Sequence, residues 1–325
     1  MKWGILGTGN IASKFARTVN AMGEEGESLA AVGSRSIEKA RAFAESCGIA
    51  KAYGSYEELL SDDEVDAVYI ATPNSLHEEN TLACIGARKH VLCEKPFTTN
   101  AEAAERLYKL ADERGVFLME GLWTRFLPLY GRILDIVSDR RYGELRHARC
   151  EYGFTAAGAR RERKFRSDLG GGALLDIGIY NLGFLNMIMG SNPESFDSFV
   201  RMNEFGTDEF SALQLVYPGG KTAQSVQTIG MQIERRAALF FDEAAIYIPD
   251  FQGAYKMTVR PNCGEEFSIE CRPEINGFEY EIREATNCVK EGRTHSKIHS
   301  PEQSVALMRL MDDVRRKWGM RFSYE

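Results

Sequence analysis

Several features are scarce or missing in this 325-residue chain, and each absence narrows what it can be. Seven cysteines (47, 84, 93, 150, 263, 271 and 288) form no C-x-x-C pair. That spacing excludes a zinc ribbon and a redox dithiol, and no metal site is expected. An odd number of cysteines scattered through apolar segments suits reduced, buried thiols in the cytoplasm. No unbroken run of 18 apolar residues occurs, so no membrane partner is expected. Positive charge is not in excess: 40 Lys and Arg face 47 Asp and Glu, a net charge of −7. A general nucleic-acid or anionic-surface binder is excluded on that ground. No low-complexity tract and no internal repeat is found. Met1-Lys2-Trp3 leads directly into an apolar run, so no signal peptide is expected. The remaining composition is ordinary, with 44% hydrophobic and 27% charged residues, and the length allows two domains.

Trp3-Gly4-Ile5-Leu6 reads as a buried strand, followed by Gly7-Thr8-Gly9-Asn10-Ile11-Ala12. This is G-x-G-x-x-A, placed before an amphipathic helix (Ile11, Phe15, Val19, Met22), the context a dinucleotide fingerprint requires. Gly7 allows the tight turn, Gly9 lets backbone approach a pyrophosphate, and Ala12 allows close helix–strand packing. The helix start offers N–H groups and a partial positive charge to phosphates. After the second strand, where an NAD site usually has Asp or Glu for the ribose, the chain has Ser34-Arg35-Ser36. A hydroxyl and a guanidinium suit a 2′-phosphate, so NADP(H) is preferred over NAD(H), with NAD(H) still possible. A plainer reading has this tripeptide only capping the next helix, a task Ser36 can perform while Arg35 meets phosphate.

Asp66 to Ala71 is another buried-type strand, and it runs into Thr72-Pro73-Asn74-Ser75-Leu76-His77. That polar turn is a further place for cofactor contacts, although His77 also suits a structural helix start. His90 to Cys93 is the next strand, and it delivers Glu94-Lys95-Pro96. Strands and helices alternate up to Glu120, which predicts a doubly wound parallel sheet. All its strands share one carboxyl end, so Lys95 emerges where the fingerprint binds. Taken alone, Lys95-Pro96 is equally an ordinary strand terminator.

Beyond Glu120 the rhythm changes. A basic run, Arg160 to Arg166, reads as a solvated loop or an anion contact. Gly170-Gly171-Gly172 then opens a helical stretch in which Asp176 and Tyr180, four apart, share a face with Leu174, Leu175, Ile179 and Phe184. A carboxylate and a phenol on a buried face need polar partners, and Lys95 suits both. Alternatively Asp176 caps a helix and Tyr180 is core. Phe210 to Tyr217 and Thr222 to Ile229 read as antiparallel strands around Pro218-Gly219-Gly220. Apolar residues on both sheet faces (Leu213 and Leu215 against Val216 and Tyr217) suggest a homodimer through this sheet. Gly277 to Glu291 and Pro301 to Lys317 are closing helices.

The fingerprint, Glu94-Lys95-Pro96 and Asp176-x-Gly-x-Tyr180 together resemble the glucose–fructose oxidoreductase / inositol dehydrogenase (Gfo/Idh/MocA) family over nearly the whole chain. The Thr72-Pro73-Asn74…His77 turn fits as well. Many members have histidine where this chain has Tyr180. Tyr180, Trp123-Thr124-Arg125-Phe126 and the triple glycine look like the dimeric dihydrodiol dehydrogenase branch. The resemblance implies an α/β protein: a Rossmann domain over 1–122, then an α+β domain over 123–325 with a large, mostly antiparallel sheet. The last helix is expected to pack back on the first domain. It implies an NAD(P)-dependent enzyme that moves hydride between nicotinamide and a carbonyl or secondary alcohol of a small polar substrate (sugar, polyol, dicarbonyl or dihydrodiol). Lys95 would be catalytic, with Tyr180 as proton donor and Asp176 orienting Lys95 or binding a substrate hydroxyl. Trp123, Arg125 and Phe154 would wall the substrate pocket. Gly7, Thr8, Gly9, Asn10, Ile11, Ser34, Arg35, Thr72, Pro73, Asn74, His77, Glu94 and Lys95 would hold the cofactor. The rival reading is a non-catalytic NADP-binding sensor or corepressor on the same fold.

Overall fold

The computed structural model describes residues 1–323; Tyr324, Glu325 and the side chains of Ala159 and Arg160 lie outside the described set. The chain divides into two units, Met1–Trp123 with Glu274–Val305, and Thr124–Pro273 with Ala306–Glu325.

In the first unit, β1 (Lys2–Leu6), β2 (Ser28–Gly33), β3 (Lys51–Tyr53), β4 (Ala67–Ile70), β5 (His90–Glu94) and β6 (Leu118–Gly121) form one sheet. Its order is β3-β2-β1-β4-β5-β6, every pair parallel, the order of a doubly wound dinucleotide fold. Helices α1 (Asn10–Ala21), α2 (Ile37–Cys47), α3 (Tyr56–Leu60), α4 (His77–Gly86) and α5 (Ala101–Arg114) connect the strands. Both faces are covered, so the strands read as continuous apolar runs; β4 is buried at all four positions. The order reverses between β1 and β4, which opens the crevice where such sheets take ligands.

The second unit carries α6 (Pro128–Ser138), β7 (Leu145–Thr155), α7 (Ala159–Phe165) and α8 (Ile179–Met189). It continues with β8 (Ser195–Met202), β9 (Asp208–Tyr217), β10 (Lys221–Thr228), β11 (Gly230–Phe241), β12 (Ala244–Ile248), β13 (Lys256–Pro261) and β14 (Phe267–Glu270). The sheet order is β14-β13-β12-β11-β7-β10-β9-β8, antiparallel except for β7 against β10. The basic run read as a loop includes helix α7. Tyr217 corrects the reading of two apolar faces: it shares parity with Leu213 and Leu215, and all three are buried, leaving Val216 half-buried on the other side. Helix α9 (Phe278–Lys290) belongs with the first unit, unlike the division at residue 123, while α10 (Pro301–Trp318) is shared between the two sets of residues. Ser167–Met189, 23 residues long, is apolar enough by composition to cross a bilayer; 89% of its apolar window is buried inside the protein, as in a core helix.

Leu174–Gly178 is a π-helical segment leading into α8. Its start is held by Asp208 of β9, whose Oδ2 accepts from the Leu174 N–H at 2.8 Å and from Ser211 at 3.1 Å. Full burial pushes the Asp208 carboxyl up to about 6. A group with a raised folded-state pKa stabilises fully below its unfolded pKa and loses that contribution as pH rises through the folded value. A rise from the usual carboxylate value near 4 to about 6 corresponds to about 3 kcal/mol, lost between about pH 4 and pH 6. Asp208→Asn keeps an oxygen acceptor for Leu174 and removes the titration. Urea unfolding from pH 4 to 7 is therefore expected to show wild-type stability falling more steeply than that of the variant, by about that amount; parallel pH curves would refute this.

Candidate active site

The first turn is built for close approach. Gly7 has φ +104°, and a Cβ there would stand 2.7 Å from the Ala71 carbonyl oxygen, so only glycine fits between β1 and β4. Gly9 is the opposite case: a Cβ there would meet nothing within 4 Å, yet its backbone caps α1 with no side-chain hydrogen bond. An uncapped helix start facing open space suits a pyrophosphate. Thr8, Asn10 and Ile11 flank it with partly or largely exposed side chains. Ala12 is fully buried against the sheet.

At the end of β2, Ser34 is buried and its Oγ accepts from the Ser36 N–H at 3.4 Å. Ser36 caps α2 through the Lys39 N–H, and Arg35 is exposed. After β4, Asn80 donates to Thr72 Oγ1 at 3.0 Å, and Pro73 precedes the short turn Asn74–Leu76. His77 is buried at the start of α4. Its Nδ1 lies 2.7 Å from the Pro96 carbonyl and its Nε2 3.0 Å from the Thr72 carbonyl, so the ring ties two turns together. Burial lowers its pKa, although the two carbonyls work against this.

Lys95 follows β5 at the same carboxyl end of the sheet, and the Lys95–Pro96 peptide is cis. The turn is fixed by backbone contacts on every side. The Lys95 N–H donates to Glu94 Oε2 at 3.2 Å, the Pro96 carbonyl meets His77, and the Phe97 N–H donates to Glu120 Oε1 at 3.0 Å. Glu120 is fully buried, and burial alone would raise its pKa. His299 at 2.8 Å, Ser304 at 2.6 Å and the Phe97 N–H together outweigh that and hold it low. Glu94 is buried too: burial raises its pKa, opposed by the Tyr69 hydroxyl that donates to it and by Lys95.

Trp123 is buried with its ring 5.5 Å from Phe278, and Lys14 Nζ lies 4.3 Å from the Trp123 ring and 3.9 Å from that of Phe278. Burial lowers the pKa of Lys14 and raises that of neighbouring Glu281 well above the carboxylate range.

In the second unit, Arg125 is buried and donates to the Gly183 carbonyl at 3.3 Å, a contact with the backbone of α8. Asp176 meets a cation that the spacing did not suggest: its carboxylate forms an ion pair with Lys164. Tyr180 is buried, with the Tyr152 ring 6.2 Å away, and Phe154 lies 6.3 Å from Tyr152. Sequence spacing missed Lys164, Lys14, Tyr69, Glu120 and His299. Only Lys164 carried a signal, as part of the basic run.

A six-stranded parallel sheet with this fingerprint and a lysine at its carboxyl end defines an NAD(P)-binding oxidoreductase. Residues 1–122 match the oxidoreductase family with an NAD-binding Rossmann fold, and residues 130–247 match the GFO/IDH/MocA C-terminal domain. The chain is 32% identical over 331 residues to trans-1,2-dihydrobenzene-1,2-diol dehydrogenase of Xenopus laevis, covering 99% of each. The Mus musculus protein of that name is 31% identical, over 99% of this chain and 98% of the relative. Among solved structures, the 3-ketoreductase KijD10 of Actinomadura kijaniata, in complex with NADP and TDP-benzene, aligns with TM-score 0.86 and 27% identity over 97% of each chain. Aldose-aldose oxidoreductase of Caulobacter crescentus, complexed with glycerol, aligns with TM-score 0.87 and 26% identity over 98% of each. The chain belongs to the Gfo/Idh/MocA oxidoreductase family, and it is an NAD(P)-dependent dehydrogenase/reductase acting on alcohol and carbonyl groups.

Proposed function

We propose that the protein reversibly reduces the carbonyl of a small polar substrate (a sugar, polyol-derived ketone, dicarbonyl or dihydrodiol-related ketone), with NADP(H) preferred. The observation that carries this reading is Lys95, presented by a braced turn at the sheet end where Gly7, Gly9 and the uncapped start of α1 lie. The residues fit a dinucleotide: Gly9 leaves open space at the helix start, and Ser34 and Arg35 follow β2, the strand after which such folds usually meet the adenosine ribose. When bound, the reduced nicotinamide supplies the hydride. The substrate's carbonyl carbon gains that hydride and its oxygen gains the electron pair. Lys95 stabilises the charge growing on that oxygen, and Tyr180 delivers the proton that completes the alcohol. Asp176 binds a neighbouring substrate hydroxyl, and Trp123 and Phe154 flank the substrate. The relatives' names support alcohol and carbonyl chemistry, and the NADP in the KijD10 complex supports the cofactor.

The test is oxidation of NADPH, followed at 340 nm, against dicarbonyls, keto-sugars and cyclic ketones, repeated with NADH. Turnover with a clear preference for NADPH is expected. Equal rates with NADH would remove the cofactor preference, and a silent panel with tight NADPH binding would favour a sensor.

We also propose a homodimer through the eight-stranded sheet, whose β8–β10 face carries Phe199, 64% exposed, beside Ala212 and Val226. Sedimentation should show a dimer at micromolar concentration; a monomer would oppose it.

A further inference from the structure

We propose that Lys164 is a substrate-recognising residue, forming with Asp176 a charge-neutral clamp for a hydroxyl beside the reacting carbonyl. The proposal rests on the reading of Tyr180 and Asp176 given above.

The backbone around Lys164 is fixed with unusual care for a basic surface run. The Lys164 carbonyl accepts from the Gly172 N–H at 2.8 Å, and the Arg166 carbonyl from the Gly171 N–H at 3.0 Å. A Cβ on Gly171 would stand 2.5 Å from the Lys164 oxygen and 2.7 Å from the Arg166 oxygen, so the contact requires glycine. Phe165 anchors the end of α7 in a cluster with Ala156, Ala173, Ile177 and Ile229, and its carbonyl accepts from Thr207 at 2.8 Å. The glycine-rich entry and the end of α7 are therefore stapled together, and this register sets Lys164 against Asp176.

The resulting pair is enclosed but not sealed: the two side chains are 17% and 16% exposed. An ion pair at an open surface contributes little and needs no such backbone. An aromatic ring flanks the lysine. Lys164 Nζ lies 5.3 Å from the centre of the Phe154 ring, and Tyr152 stands between Phe154 and Tyr180 at 6.3 and 6.2 Å.

Asp176 alone would be a bare negative charge and offer only acceptors. Lys164 cancels the charge and adds donors. A substrate hydroxyl donates one hydrogen bond and accepts another, so it satisfies both partners at once. Asp176 lies about one helical turn before Tyr180, across the π-helical segment and the start of α8, so the hydroxyl it would take stands close to the carbonyl whose oxygen Tyr180 would protonate, as on a neighbouring carbon. An α-hydroxy ketone matches this arrangement and a plain ketone does not.

The experiment compares kcat/KM for 2-hydroxycyclohexanone and cyclohexanone at saturating NADPH, in wild type, Lys164→Met and Lys164→Arg. Losing one charge-assisted hydrogen bond corresponds to about 10–100-fold. Wild type is expected to prefer the hydroxy ketone by about that factor. Lys164→Met should bring the preference close to one, and Lys164→Arg should restore most of it. The double variant Lys164→Met/Asp176→Asn leaves no unpaired carboxylate to disturb folding, and it should also lack the preference. Wild type that treats the two ketones alike, or a Lys164→Met variant that keeps the preference while slowing both, would overturn the proposal and reduce Lys164 to a structural role. Wild type that reduces neither ketone also overturns it, while the oxidoreductase reading is then decided by the wider panel.

Discussion

Lys95→Met is expected to lower kcat by about 10²–10³, the usual cost of removing one group that stabilises developing oxyanion charge. NADPH affinity should stay within a few-fold of wild type, because the contacts that hold the surrounding turn come from its backbone. Three backbone contacts hold it: the Lys95 N–H on Glu94, the Pro96 carbonyl at His77, and the Phe97 N–H on Glu120. Methionine keeps the length and apolar stem of lysine and removes only the ammonium. Steady-state NADPH oxidation reads the loss, and quenching or enhancement of NADPH fluorescence reads binding. Turnover at the wild-type rate would rule out a catalytic lysine. A parallel loss of NADPH binding would instead make Lys95 chiefly a cofactor ligand.

Tyr180→Phe carries the second large effect. The ring is buried near Tyr152, and phenylalanine preserves that packing while deleting the hydroxyl. A positioned acid–base group is typically worth about 10²–10⁴ in rate, so turnover should fall by that much. NADPH binding and the melting temperature should change little. Cofactor binding with a strongly reduced kcat would assign the hydroxyl to the chemistry. An unchanged kcat would make Tyr180 a wall of the substrate site and leave the proton to another donor.

The first unit was largely legible because its physics is local. Strands buried on both faces write themselves as short apolar runs such as Ala67–Ile70, and the turns after them need glycine or proline. Gly7 is demanded by a carbonyl in the next strand, so the residue betrays the geometry. The Lys95 turn was visible for the same reason. What braces it was not visible. Glu120 and His299 lie 179 residues apart, and Tyr69 meets Glu94 across 25 residues. Contacts made through the folded chain leave no spacing to read.

The second unit was harder. Asp176 needed a cation, and Lys164 twelve residues upstream is one that spacing did not suggest, brought there because α7 is stapled to the glycine run. The α-helical spacing assumed for Asp176 and Tyr180 crosses a π-helical segment, a local change that apolar periodicity does not announce. Nothing in the spacing announced that buried Arg125 reaches the Gly183 carbonyl of α8. The face assignment of Tyr217 failed on parity alone, since residues 213, 215 and 217 lie on one side of β9.

The central claim is direct hydride transfer to a carbonyl carbon by a protein that brings Lys95 to the cofactor. NADPH carrying deuterium at both C4 positions tests it without presuming which face reacts. Reduction of the best ketone or dicarbonyl of the panel should leave deuterium on the new carbinol carbon, observed by NMR, in wild type, with the rate of transfer collapsing in Lys95→Met. Product carrying no deuterium at that carbon, or a protein that binds NADPH tightly and reduces nothing, would contradict it.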